Sequence, residues 1–278
     1  MSAAGRTRGA PRAARLGTSA AGALLAVVAA IATPLNERGG EARAILAWGV
    51  IVGLAALTTS VAARRHGRGR VTVALVATVA GTWLLERTAS RTGVPFGDYA
   101  YSDALGVLVD GVPALVPLAW WAMALPAREA GAAAARAVRL ASPAAVRTAR
   151  IVSGAAALTA WDAFLDPQMV AEGYWVWTAG GPYRGVPLGN YLGWFLTGLV
   201  VMALYEVLLP VRGRTHLALV AQYAAVAASQ TVGFAVFFDD ALVALVGGAA
   251  MGVVCAGAAV GLARAGTGRA APVERAAR

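Results

Sequence analysis

The sequence predicts an all-α, polytopic membrane protein, a bundle of about eight transmembrane helices with an approximate internal repeat of two helix-loop-helix units. Three observations support this fold class. Of the 278 residues, 59% are hydrophobic and only 14% are charged, whereas a soluble domain carries about 25% charged residues. The charges lie in short clusters between long uncharged runs. Arginine-rich and arginine-poor clusters also alternate along the chain, as expected for loops on two sides of a membrane.

Eight uncharged runs are long enough, alone or with flanking residues, to form transmembrane helices. A helix needs about 20 residues to cross the hydrocarbon of a bilayer. The third, fourth and fifth runs are shorter and must include flanking residues, which are Glu86 for the third and Asp162 and Asp166 for the fifth. Acidic residues at membrane depth are costly and usually functional. In chain order the runs are Leu16–Asn36, Ala44–Ala63, Val71–Leu85, Val112–Ala127, Ile151–Trp161, Val186–Tyr205, Thr215–Phe238 and Ala241–Ala263.

The distribution of arginine predicts the orientation of the helices. All 24 basic side chains are Arg, and 19 of them fall in the N-terminal arm, alternate loops and the C-terminal tail. The positive-inside rule places that side in the cytoplasm. We therefore expect a plasma (inner) membrane protein with both termini cytoplasmic, comprising a basic arm (1–15), a transmembrane domain (16–264) and a basic tail (265–278). A net charge of +10 distributed in this way does not indicate a nucleic-acid partner.

Two similar segments, 74 residues apart, indicate the internal repeat. Gly-Val-Pro occurs at 111–113 and 185–187, and a tryptophan follows each, Trp120 and Trp194. We expect each segment to open a helix, because proline is tolerated in a first helical turn. Each also follows a helix that ends in an acid, Glu86 in one unit and Asp162 in the other. Such repeats place a binding site near the membrane centre, although shared membrane-entry sequence is an alternative explanation of so short a match.

The loops after these acids combine aromatic and acidic residues. Aromatic residues alone are typical of an interfacial belt, but the interleaved carboxylates indicate a site. Asp162 and Asp166 share a helix face if the helix continues to Pro167, and neighbouring buried carboxyls favour protonation of one of them. The candidate catalytic residues are Asp162, Glu86, Asp166 and Asp98, and the candidate substrate-binding residues are Trp120, Trp161, Trp175, Tyr99, Tyr101, Asn190 and Trp194.

Other polar residues of the apolar runs are better explained by structural roles. Glu206 lies near Arg212 and Arg214, which indicates an interfacial ion pair. Gln222 and Gln230 are eight residues apart on one helical face, and we expect them to hydrogen-bond between helices.

Metal and cofactor sites are not expected. His66 and His216 have no second ligand at metal-binding spacing, and Cys255 lies alone in an apolar run. The sequence also lacks a nucleotide-binding loop, a dinucleotide fingerprint and the Asp-rich motifs of prenyltransferases. Acids beside aromatic residues remain, a combination that can protonate an electron-rich double bond and shield the carbocation that results.

Several segments together carry a family resemblance. They are Glu86, 95–101 with 105–106, 111–113 with 117–120, 161–169 and 185–195. This set is similar to the membrane carotenoid-biosynthesis family of the bisanhydrobacterioruberin hydratase and carotenoid 1,2-hydratase type, over roughly residues 80–240. The resemblance implies addition of water across the terminal double bond of an acyclic carotenoid end group, giving a tertiary alcohol. Membrane lipid and other enzymes of the pathway are further candidate partners.

The resemblance leads to a mechanistic hypothesis with two alternatives. A carboxyl protonates C2, a cation forms at C1, and a second carboxylate deprotonates the incoming water. A carotenoid cyclase begins with the same protonation, and a non-catalytic lipid transporter or assembly partner also suits a repeat with intramembrane acids. In the hydration hypothesis the proton donor is Asp162 or Glu86, and the rings beside the cation are those of Trp120, Trp161 or Trp175. The carboxylate that deprotonates the water is Asp166 or Asp98.

Overall fold

The computed structural model describes residues 12–138, 140–211 and 215–267. These residues form eight α-helices, with a 3₁₀ turn (Thr33–Leu35) after the first and a π-helical turn (Gly233–Phe237) after the seventh. Most of the predicted basic arm (1–15) and of the predicted basic tail (265–278) lies outside the described residues. The helices are α1 (Arg12–Ala32), α2 (Glu41–His66), α3 (Arg68–Thr92), α4 (Leu115–Ala135), α5 (Pro143–Ala171), α6 (Leu188–Leu208), α7 (Leu217–Val232) and α8 (Ala241–Thr267).

Six helices within the described ranges are long and apolar enough to cross a membrane, namely α1, α2, α3, α6, α7 and α8. The prediction of an all-α, polytopic membrane bundle is confirmed. The other two helices carry charged residues along their length, such as Arg128 and Glu129 in α4 and Asp162 in α5. Most of α4 is buried, and it therefore forms the centre of the bundle.

Helix α5 is much longer than the uncharged run 151–161 that predicts it. It extends through Asp162 and Asp166 to Ala171, with Pro167 inside the helix. The helix therefore continues past Pro167, as a shared face of the two aspartates requires. Residues four apart in a continuous helix lie one above the other.

The Gly-Val-Pro segments precede helices α4 and α6 rather than opening them, which corrects that expectation. Val112–Pro113 forms strand β3, which pairs with strand β2 (Leu108–Val109). Pro187 lies immediately before α6 and has an extended backbone, with ψ 143°. Proline suits both positions because it has no backbone N–H to contribute to a hydrogen bond.

A short antiparallel sheet joins the loops that follow α3 and α5. Strand β1 (Tyr99–Tyr101) pairs with strand β4 (Trp175–Trp177), and Ala100 lies opposite Val176 at the centre of the register. The backbone bonds continue on both sides, from Ser102 N to Tyr174 O and from Thr178 N to Asp98 O, each 2.9 Å. The sequence predicts only helices and loops here. The sheet connects the ends of the two helices that carry the acidic residues.

Glycines allow close approach of the helices at two interfaces. A Cβ atom added to Gly53 of α2 would lie 2.6 Å from the carbonyl oxygen of Gly22 in α1. A Cβ atom on Gly131 of α4 would lie 2.5 Å from the backbone of Ser153 in α5. Small residues favour helix association in lipid because the backbones can pack directly against each other.

Buried charges join the helices at the end of the bundle opposite the strands. Arg128 donates to the carbonyl oxygens of Leu209 (2.8 Å) and Tyr205 (3.2 Å) at the end of α6. Its guanidinium also pairs with Glu129 (2.9 Å), whose second oxygen accepts the backbone N–H of His216 (2.9 Å). The arginine thus gives the Leu209 carbonyl at the helix end a partner and adds a second one to the Tyr205 carbonyl, which already accepts Leu209 N.

Two further polar residues have the structural roles that the sequence suggests, with different details. Glu206 forms an ion pair with Arg150 of α5, while residues 212–214, its predicted partners, lie outside the described part of the chain. Gln222 bonds between helices, since its amide nitrogen donates to Thr58 (3.0 Å) of α2 and to the carbonyl oxygen of Ala122 (3.1 Å) in α4. The amide oxygen of Gln230, for which the same role is expected, has no hydrogen-bond partner among the described residues.

Candidate active site

Glu86, near the C-terminal end of α3, is buried and accepts hydrogen bonds from three side chains. The hydroxyls of Tyr99 (2.6 Å) and Tyr101 (2.8 Å) donate to Oε2, and Nε1 of Trp120 (3.0 Å) donates to Oε1. Burial, together with the neighbouring Glu86, raises the pKa of both tyrosines, so their hydroxyls keep their protons. Three donors around one carboxyl group lower the cost of a negative charge on it, which burial by itself disfavours.

Asp162 and Asp166 of α5 form a second acidic centre. The two residues are 0% and 2% exposed, and Nδ2 of Asn190 in α6 donates to both, at 3.0 Å from Oδ2 of Asp162. Oδ1 of Asp162 has no hydrogen-bond partner among the described residues. Because two adjacent buried carboxylates repel each other, a pair that shares one amide donor is suited to hold one proton between its members.

Aromatic side chains connect the two acidic centres. The indole rings of Trp120 and Trp194 stack with centroids 4.1 Å apart and planes 10° apart. Trp161 meets Trp194 edge to face at 6.1 Å, and Tyr101 meets Trp175 in the same manner at 5.6 Å. Trp120 is also a hydrogen-bond donor to Glu86. The wall between the acids therefore consists of electron-rich rings, which attract cations.

Both acidic centres adjoin a largely apolar cavity of about 670 Å³. Glu86, Asp166 and Asn190 line it, whereas Asp162 does not and is connected to it through the amide of Asn190. Every aromatic residue predicted to bind substrate lines the same cavity: Tyr99, Tyr101, Trp120, Trp161, Trp175 and Trp194. Asp166 is thus the member of the aspartate pair that can touch a ligand.

The cavity opens to the surface between α1 and α7. Ile31 of α1 and Phe237 of the π-helical turn both line it, yet their side chains are 64% and 55% exposed. A π-helical turn in a helix is frequently found at functional sites. Apolar side chains that are exposed on a membrane-spanning helix face lipid, so the opening connects the cavity with the bilayer.

Comparison with known proteins agrees with this site. Residues 43–263 match the model of a family described as carotenoid biosynthesis protein. The chain belongs to this family. Part of the chain is also 34% identical, over 144 residues, to bisanhydrobacterioruberin hydratase of Haloarcula japonica. That alignment covers 49% of this chain and 45% of the relative, so the chain spans less than half the length of the curated relative that it matches. No solved structure matches the chain.

In this member of the carotenoid biosynthesis family, Asp98 lies away from the other candidates. Its side chain is exposed and does not line the cavity. Side chains alternate between the two faces of a strand, so Tyr99 and Tyr101 turn toward Glu86 while Asp98 and Ala100 turn to the outside. We therefore do not retain Asp98 for the activation of water.

An ion pair at the rim of the cavity is not predictable from the sequence. Arg43 of α2 and Glu172 after α5 are both buried, line the cavity and pair with each other. Arg43 also donates to Asn36 O (2.8 Å), and Glu172 accepts Gly39 N (2.8 Å). The two charges are 129 residues apart in the chain, and each resembles an ordinary helix-end charge in the sequence. Phe96 and Trp177 also line the cavity, although the sequence does not distinguish them from the other aromatic residues of the loops.

Proposed function

We propose that the protein is a carotenoid hydratase, which adds water across the terminal C1=C2 double bond of an acyclic carotenoid end group to give a tertiary alcohol. The observation that carries the proposal is the convergence of two different acidic centres on one apolar, aromatic-walled cavity. Membership in the carotenoid biosynthesis family and similarity to a protein named as a hydratase support it.

The first step is protonation of C2 by the aspartate pair. Asp166 donates the proton because it lines the cavity, and Asp162 shares the Asn190 amide with it. General acid catalysis requires a carboxyl group that still holds its proton. A pair of adjacent carboxyls meets this requirement better than Glu86, whose three donors favour the anion.

The tertiary cation that forms at C1 is stabilised by the aromatic rings and by Glu86, on the other side of the site from the aspartate pair. Trp120, Trp161 and Trp194 present ring faces and edges to the cavity. The Glu86 carboxylate, 3.0 Å from the indole nitrogen of Trp120, adds a negative charge that is already oriented. Oriented charges of this kind stabilise developing positive charge strongly in a site without bulk water.

Capture of water completes the reaction. The water oxygen bonds to C1, and its extra proton passes to the aspartate pair, which returns to its starting state. The sum is substrate plus water, with no change of oxidation state, so the reaction needs no redox cofactor. The rest of the polyene extends through the opening between α1 and α7, whose apolar lining suits it.

An isotope experiment with purified protein in liposomes tests the proposal. Given an acyclic carotenoid and no nucleotide, the protein is expected to form a product heavier by one water per hydrated end. In heavy-oxygen water the new hydroxyl carries the label, and in deuterated water one non-exchangeable deuterium appears at C2. A ring-closed isomer of unchanged mass without oxygen label would identify a cyclase, and unaltered pigment would indicate a transporter or an assembly partner.

The orientation in the membrane is also a proposal, with both termini in the cytoplasm and the strands on the outer side. It rests on the distribution of arginine. In a variant with the single native cysteine replaced, Cys255→Ser, new cysteines at Ser102 and Thr178 are expected to react with an impermeant thiol reagent added to intact cells. Labelling of either position only from the cytoplasmic side would show that the proposed orientation is wrong.

A further inference from the structure

A second, much smaller cavity lies beside the large one. Its volume is about 30 Å³, which is enough for a water molecule, since a cavity needs about 10–15 Å³ to hold one. Gln168, Glu172 and Phe238 line both cavities, so the two spaces are neighbours that share these side chains. The remaining lining residues of the small cavity are Arg38, Pro167, Ala171, Phe234 and Asp240.

The outer side of the small cavity is charged and reaches the surface of the bundle. Arg38 is exposed, and Asp240 forms an ion pair at 2.7 Å with Arg184, whose side chain is 46% exposed. A water molecule in a protein needs two to four polar partners. The guanidinium, amide and carboxylate groups of the lining can supply them.

The inner side of the small cavity leads toward the acidic centres. Glu172 is held by Arg43, and Tyr174, two residues further along, lines the large cavity. Tyr174 is 1% exposed, yet its hydroxyl has no hydrogen-bond partner within the described part of the chain. Burial, followed by the charge of Glu172, raises the pKa of Tyr174 to about 12. The hydroxyl is therefore a permanent donor in a wall that is otherwise mainly apolar.

We propose that the small cavity, with Gln168, Glu172 and Tyr174, is a water-binding inlet that supplies the water captured in the large cavity. That the inlet supplies a reactant rests on the proposed hydratase function. That the small cavity binds water does not. It also separates the routes of the two reactants, since the carotenoid enters from lipid between α1 and α7 and water enters from the charged rim.

The inlet determines the fate of the cation. With water present, a C–O bond forms at C1 and the water proton passes to the aspartate carboxylates. Without water, the cation loses a proton from a methyl group on C1 to the same carboxylates, and an isomer of the substrate with its double bond between C1 and that carbon results. Both products carry the proton that was added at C2, so deuterium from the solvent labels both, whereas oxygen appears only in the alcohol.

Two conservative variants test the inlet. Tyr174→Phe removes a hydroxyl that has no hydrogen-bond partner among the described residues, and Gln168→Leu replaces an amide that lines both cavities by an apolar group of similar size, so the fold is expected to persist. We expect the ratio of alcohol to deuterium-labelled isomer to fall about tenfold, the effect of one lost hydrogen bond to the water. The matched control is Tyr191→Phe, since the Tyr191 hydroxyl is also unpartnered but lines neither cavity.

A second measurement does not depend on activity. Radiolytic labelling by hydroxyl radicals reports water next to a side chain, and Met169 lines the large cavity although it is only 9% exposed. We expect Met169 to be oxidised in the wild type and several-fold less in Gln168→Leu. Equal oxidation in both, or no oxidation in the wild type, would overturn the inlet. If oxidation falls as expected but the wild type forms no alcohol, the water site stands and the proposed function fails.

Discussion

Replacement of Asp166 by Asn is expected to lower the rate of alcohol formation by about 10²–10⁴-fold, the usual contribution of a general acid. Asp166 is the member of the aspartate pair that lines the cavity, and an amide has no proton acidic enough for an alkene. Asn keeps the size of the side chain and can still bond to Asn190, so the amount of protein in the membrane is expected to stay normal. The measurement is the initial rate of product formation in proteoliposomes with an acyclic carotenoid.

Asp162→Asn and Asp103→Asn complete this test. Asp162 shares the Asn190 amide with Asp166 but does not line the cavity, so its replacement is expected to lower the rate less. Asp103 is exposed in the loop after β1, and the same chemical change there is expected to leave the rate unaltered. Wild-type turnover by Asp166→Asn would exclude it as the proton donor and leave Glu86 and Glu172 as the other acids that line the cavity.

Replacement of Glu86 by Gln is expected to lower kcat by about 10²-fold or more while KM changes little. Glu86 accepts three hydrogen bonds on its two oxygens, whereas Gln keeps one acceptor oxygen and its NH₂ group cannot accept the bonds made to the other. The variant also lacks the negative charge that stabilises the cation. Loss of one oriented electrostatic group typically costs about 10²–10³-fold in kcat.

Glu206→Gln is the matched control for this variant. It makes the same chemical change in an ion pair with Arg150 at the other end of the bundle, and we expect a mild effect on the rate. Steady-state kinetics at equal protein content distinguish the two variants. If Glu86→Gln lowers only the amount of folded protein and not the rate per molecule, its role is structural.

Much of the candidate site is visible in the sequence because its main elements are local. Asp162 and Asp166 are one helical turn apart, which brings them together in any continuous helix. The aromatic residues of the two loops stand beside acids in the chain itself. Acidic residues in apolar runs are rare enough to attract attention without a structure. The fold class follows from the same runs, since a membrane limits the possible architectures.

The rest of the site depends on contacts between distant segments. The pairing of Tyr99 with Trp177, for example, could not be predicted, because a three-residue strand gives almost no periodic signal. That pairing decides which face of β1 points inward, and with it the exclusion of Asp98. The ion pair of Arg43 and Glu172 is equally non-local. Its residues differ from surface charges only in their burial, which is a property of the folded bundle.

The opening between α1 and α7 has a kinetic consequence for the proposed hydratase. A substrate that arrives laterally is diluted by lipid and not by buffer, so its effective concentration is its mole fraction in the bilayer. A cavity of about 670 Å³ holds one end of a long polyene at a time. The two ends of a symmetrical carotenoid must therefore react in separate encounters, with release, reorientation and two-dimensional diffusion between them. Such an enzyme works distributively, and the half-modified pigment accumulates before the fully modified one.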